Sequence, residues 1–259
     1  MAFLKILLIR HGQSQGNVEG RMEGWSSTGL TDLGRKQAQQ LGQRLAKETR
    51  QPTHIYCSPL QRATETLAAM ASALWATAEI PVPEIPTSEI PTSEIPTSEI
   101  PIPEIPVPTV FHDDLRENHQ GILTGLTWAE AQVNYPDLCQ RLETFLDWIP
   151  IPNAETPQAG HQRAERFVND LLQHHNGDQI WVISHQWILQ HILACLLGCG
   201  HTWGIPLGHT AITELWLDRD RWFENDPNQR LNTELWRIQR FNDQSHISPQ
   251  IVTKGNASV

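Results

Sequence analysis

Two apolar runs end in histidine, LLIRH at His11 and IWVISH at His185, and a third segment, CSPLQRA, carries Arg62 just past a serine and a proline. An arginine presents forked donors, an imidazole can attack or donate, and a helix start offers free amides; together they suit a doubly charged anion such as a phosphoryl group. Each residue alone is ordinary, since a strand-end histidine is more often a hydrogen-bonded structural group. What carries weight is four of them, Arg10, His11, Arg62 and His185, each at or just past the end of a candidate strand.

Those strands must therefore bring their carboxyl ends together. Ile6 to Ile9 and Ile180 to Ile183 are continuous apolar runs without alternation, as in strands covered on both faces of a parallel sheet. In such sheets ligands sit beyond the carboxyl edge. Between the runs, Thr31 is a candidate cap for a helix with the stripe Leu33, Ala38, Leu41 and Leu45; Ser58 and Pro59 read as the cap and first turn of another. Residues 129–149 read as helix broken at Pro136, Gln162 to His174 as helix, WILQHILACLLG as a buried helix and ITELWLD as a late strand. Alternating strands and helices predict an α/β fold, a three-layer α/β/α sandwich with a mainly parallel central sheet.

From Glu79 to Pro108 a five-residue unit of the EIPTS type repeats six times. Its prolines remove amide donors and fix φ, so the segment is expected to be an extended loop interrupting a single domain over 1–259. It offers a ligand for a proline-recognising partner, although a tolerated surface expansion explains it as well. The net charge of −10 and the lack of a long basic run argue against nucleic acid, so an anion must be held by a local cluster. No stretch has the length of a membrane span, and four scattered cysteines suit a reducing compartment, so a cytoplasmic protein is expected. Cys195, Cys199 and His201 lack a second ligand pair and read as packing rather than a metal centre.

RHGQSQGN, GLTDLG, SPLQRATET, LREN with its following GILTGLT, and VISH occur here in the order found in the histidine phosphatase superfamily, also called phosphoglycerate mutase-like, which the chain resembles from residue 5 to about 217. The resemblance implies a sandwich with a small helical cap and a phosphomonoesterase that needs no metal or other cofactor. It makes His11 the nucleophile, places Arg10, Arg62 and His185 on the phosphoryl oxygens, and puts Ser14 and Asn17 near them. Glu117 would be the acid that protonates the leaving oxygen and then the base toward water, which calls for a carboxyl pKa raised by burial; Asp113 and Asp114 are close rivals. Glu155 is expected to be structural.

Two positions depart from the family pattern. Gln186 follows the second histidine where glycine is common, which makes it a substrate-contact candidate that narrows the pocket, and His209-Thr210 replaces an asparagine-containing turn. Mutases of the family carry a lysine and an arginine pair near positions occupied here by Thr127-Trp128 and YPDLCQRLETF, so a phosphatase acting on a small phosphorylated metabolite is favoured. The alternatives are a 2,3-bisphosphoglycerate-dependent mutase and a non-catalytic phosphate-binding module whose repeat recruits a partner. A homodimer is compatible with the composition, and the substrate itself is not written in the sequence.

Overall fold

The apolar run after Lys5 forms β1 (Leu4–Arg10), flanked in the middle of a six-stranded sheet by β4 (Gln179–Ser184) and β5 (Ile212–Leu217). The computed structural model describes residues 3–48, 51–75, 104–202, 204–222 and 236–247. With β2 (His54–Cys57), β3 (Thr109–Phe111) and β6 (Trp236–Asp243), the strand order is β3-β2-β4-β1-β5-β6. The first four are mutually parallel, whereas β5 runs antiparallel to β1 and β6 antiparallel to β5. The sheet is thus mixed, parallel in its main part with an antiparallel edge, a common arrangement in large sheets.

Alternation along β1 sends side chains to two cores. Leu4, Ile6 and Leu8 pack with Ile180 and Val182 against α6 (Pro157–His174) and α7 (Gln186–Leu196), through Phe167, Leu171, Ile188 and Ile192. Leu7 and Ile9 pack with Ile55, Trp181 and Ile183 against α2 (Asp32–Ala46) and α3 (Gln61–Leu74), through Leu41, Leu45, Leu67 and Met70. This is the expected sandwich. Residues covered on both faces cannot alternate polar with apolar, which is why these strands read as unbroken aliphatic runs.

Helix entry follows local chemistry. Thr31 caps α2 by accepting the Gly34 amide at 3.0 Å, and a side chain on Gly34 would meet the Gln13 carbonyl at 2.1 Å, so glycine lets α2 start directly against the loop that follows β1. Ser14 caps the short α1 (Gln15–Glu19) in a reciprocal box with Asn17. Ser58 does not act as the expected helix cap. α3 begins at Gln61 with Leu60 in the capping position, and the Ser58 hydroxyl accepts the Leu60 amide at 3.3 Å while lying 2.7 Å from His185 Nε2, so it is shared between the helix approach and a buried imidazole.

A small cap stands above the sheet edge, made of α4 (Trp128–Asn134) and α5 (Pro136–Thr144), with its own core of Leu123, Ala131 and Cys139. Pro136 breaks the helical stretch as expected and opens α5. A further short helix, α8, spans Arg219–Trp222. Most of the proline repeat, 79–103, falls outside the described residues, but its final unit belongs to the domain: Ile105 and Val107 pack on the α2/α3 side, and the Pro108 carbonyl accepts the Ile55 amide at 2.9 Å. Among the described residues no helix is long and apolar enough to cross a membrane.

Candidate active site

Strand register fixes the site. Arg10 is paired with Ser184 across β1 and β4, and Cys57 with Ile183 across β2 and β4, so His11, Ser58 and His185 leave the sheet side by side. β5 is antiparallel, so the loop entering it, with His209, arrives at the same edge. Arg62 reaches that edge from the first turn of α3, and Glu117 follows the one-turn helix Asp113–Leu115 beyond β3.

His11 is 2% exposed and its ring centroid lies 5.0 Å from that of His185, which is fully buried. Its Nδ1 sits 2.7 Å from the Gly12 carbonyl, so the proton stays on that nitrogen and the Nε2 lone pair is left for attack. Burial, then His185, Arg62, Arg10 and His209, hold its pKa well below the usual imidazole value. Burial and the two guanidiniums do the same to His185. Neutral His11 is the form a nucleophile needs.

Arg62 is 1% exposed and points inward. Its guanidinium donates to the carbonyls of Gly24 and Ser26 at 2.8 and 3.1 Å, with Glu23 Oε2 3.8 Å from Nε. Arg10 donates to Gln186 Oε1 at 2.7 Å and to the Leu207 carbonyl at 2.5 Å; burial pulls its pKa down to about 10. Gln186 therefore holds Arg10. Among the described residues, Arg10 Nε, Arg62 Nε, His185 Nδ1 and His209 Nδ1 are buried nitrogens without a hydrogen-bond partner. Buried polar atoms are rarely left so, and four of the nine such side-chain atoms gather at this edge, a set of nitrogens with the chemistry to meet an anion.

Ser14 and Asn17 both turn toward Glu23, donating to Oε2 at 2.8 Å each, and the Thr28 hydroxyl also reaches this carboxylate. The buried Glu23 is thus the hub that ties the loop after β1 to Arg62. It was not legible beforehand: a lone glutamate in RMEGW carries no spacing signal, and only the convergence of three donors and an arginine reveals it.

Glu117 is half-buried, and its charge is felt by both Arg10 and Arg62. Its carboxylate accepts the Asn118 amide at 2.9 Å and approaches the Trp187 amide at 3.4 Å. The rivals are engaged elsewhere, Asp113 with Arg116 and Asp114 with Arg166. Glu155 pairs with Arg163 at 2.7 Å, and Arg163 donates to the carbonyls of Asp114, Arg116 and Glu117, bracing the loop that carries Glu117. A cleft of about 270 Å³ opens beside Asn118 and Trp187, the neighbours of Glu117, with Leu142, Trp148, Ile149 and Ile151 on its wall; Glu117, His11, Arg10, Arg62 and His185 themselves do not line it.

One metal-ligand type cluster occurs among the described residues: His54, His175 and Asp178, with ligand atoms within 4.8 Å of one another. It lies at the amino end of β2 and β4, away from His11, and both ring nitrogens of His175 are engaged, by Tyr56 at 2.8 Å and Asp178 at 3.0 Å. These bonds account for the cluster as packing.

The buried imidazoles set an acid limit on the fold. His11 and His185 are held well below 6.5, His209 is lowered to about 3, and His191 and His246 to about 4, mainly by burial. Unfolding returns each toward its ordinary value, so below about pH 6.5 the unfolded chain binds more protons and stability falls as pH drops toward the folded values. The melting temperature is expected to fall steadily from about pH 7 to about pH 4.5; a flat or rising profile over that window would contradict the burial of these rings.

The description "Histidine phosphatase superfamily (branch 1)" fits residues 6–82 and 95–229. The chain is 29% identical over 233 residues to the adenosylcobalamin/alpha-ribazole phosphatase of Escherichia coli, covering 89% of this chain and 93% of that protein. It is 28% identical over 191 residues to a metal-independent phosphoserine phosphatase of Arabidopsis thaliana, covering 73% of this chain and 66% of that protein. The fold matches a crystal structure described as a putative alpha-ribazole-5'-P phosphatase from Escherichia coli with a TM-score of 0.66 at 22% identity, over 93% of this chain and 98% of that one. By the span of that family match, the chain belongs to the histidine phosphatase superfamily, branch 1.

Proposed function

We propose that the protein is a metal-independent phosphomonoesterase that works through a phosphohistidine at His11. The reading rests on one observation: a buried His11 with Nδ1 tied to a carbonyl, beside His185, Arg10 and Arg62. In the first step His11 Nε2 attacks phosphorus, the bond to the leaving oxygen breaks, and Glu117 supplies the proton that oxygen needs. Arg10, Arg62 and the His185 imidazole take up the charge spreading over the nonbridging oxygens. In the second step Glu117, now a carboxylate, takes a proton from water; the water oxygen attacks phosphorus, the P–N bond breaks, and orthophosphate leaves with His11 restored.

The cleft beside Glu117 supports water over a second phosphorylated molecule as the acceptor. Its lining contains two acidic residues and no lysine or arginine, so nothing there would hold a carboxylate or a second phosphate of the substrate. Leu142, Trp148, Ile149, Ile151 and Trp187 instead offer apolar surface to the leaving group. We infer a small phosphorylated metabolite whose leaving group has an uncharged, apolar part.

A phosphoester panel in the presence of a chelator tests this. The expected result is turnover without metal, no requirement for bisphosphoglycerate, and kcat/KM at least about tenfold higher for aryl or apolar alkyl phosphates than for phosphoglycerate. Turnover only with a bisphosphoglycerate primer would make the protein a mutase; no turnover with any ester would leave a binding module.

A further inference from the structure

His209 stands on the loop entering β5, 5.9 Å from His11 between ring centroids, little farther than His185. Among the described residues its Nδ1 is buried without a partner, as are Arg10 Nε, Arg62 Nε and His185 Nδ1. The loop is tightly held. Thr210 adopts a φ of 55°, an uncommon conformation for a β-branched residue, and its amide donates to the Arg10 carbonyl at 3.0 Å. Its hydroxyl donates to the His209 carbonyl at 2.7 Å and accepts from His246 Nε2 at 2.9 Å. Gln244 Nε2 donates to the His209 carbonyl at 2.9 Å, and the Gly208 amide donates to Asn242 Oδ1 at 2.8 Å.

Asn242, Gln244 and His246 all lie beyond residue 229, where the family match ends. An unusual residue at the catalytic edge is thus braced by a segment outside the shared part of the domain. The ring already meets the His11 backbone, but a buried Nδ1 left unpaired beside an arginine, in a strained and triply supported loop, is costly unless a ligand completes its hydrogen bonding. We propose that His209 is a substrate-binding residue of this pocket, donating a ring N–H to a nonbridging phosphoryl oxygen, and that the segment Asn242–His246, from the end of β6 onward, aims it there.

The inference rests on the phosphatase reading, and orthophosphate as a competitive inhibitor separates the two. In His209→Phe, which keeps a ring but no donor, inhibition is expected to weaken about tenfold, whereas His209→Asn, which restores an N–H, stays within about 1.5-fold of wild type. Gln244→Ala, outside the pocket, should weaken it about threefold by releasing the loop, and it carries the test if the phenylalanine variant does not fold. Wild-type inhibition in His209→Phe, or equal losses in the phenylalanine and asparagine variants, would overturn the assignment. If Arg62→Ala also leaves inhibition unchanged, the phosphate pocket itself is wrong; if Arg62→Ala weakens it and His209→Phe does not, only the role of His209 falls.

Discussion

Replacing His11 by alanine is expected to lower turnover by about 10⁴-fold or more and to remove all acid-labile, base-stable phosphate from the quenched protein. The size follows from the geometry. Arg10, Arg62 and His185 would still bind the phosphoryl group, so orthophosphate inhibition should persist while chemistry stops, because water has no equivalent of a fixed ring nitrogen with its second position tied to Gly12. His11→Ala that kept more than about a tenth of wild-type turnover, or that still trapped phosphate, would move the nucleophile elsewhere.

The second large effect concerns Glu117. Glu117→Gln cannot deliver a proton, so alkyl phosphates, whose leaving oxygen is strongly basic, should lose about 10²- to 10³-fold in kcat/KM. An ester of p-nitrophenol needs little protonation to depart, so its first step should fall less than about tenfold. Its second step still requires a base toward water. Rapid mixing of the variant with p-nitrophenyl phosphate should therefore show a burst of nitrophenol equal to the enzyme, followed by slow turnover with phosphate held on His11. Equal losses for both leaving groups, without a burst, would reduce Glu117 to a positioning role.

The fold was readable where physics leaves few options. ILLI and WVIS are strands because double-sided burial demands uninterrupted aliphatics, and their histidines follow from where such strands end. β6 leaves no such signal, because Trp236–Asp243 lies at an edge with much of its surface exposed, and its short apolar spacing does not choose between strand and helix. Ser58 followed by Pro59 is a good local cap signal, but α3 starts two residues later than it suggests and the hydroxyl serves both the Leu60 amide and the imidazole of His185. Glu23 and His209 illustrate the other limit. Each matters through partners distant in sequence, Arg62 for one and His11 and Gln244 for the other, and no local pattern encodes such meetings.

The central placement of β1 has a consequence for biosynthesis. Its two hydrogen-bonding neighbours, β4 and β5, are both made from the last third of the chain, the second ending at Leu217. At about 5–20 residues per second, a ribosome would display the sticky LKILLIR segment for about 10–40 s before either neighbour exists. A segment without either partner over that interval is an aggregation hazard, so yield in a cell is expected to respond to holding chaperones and to translation speed.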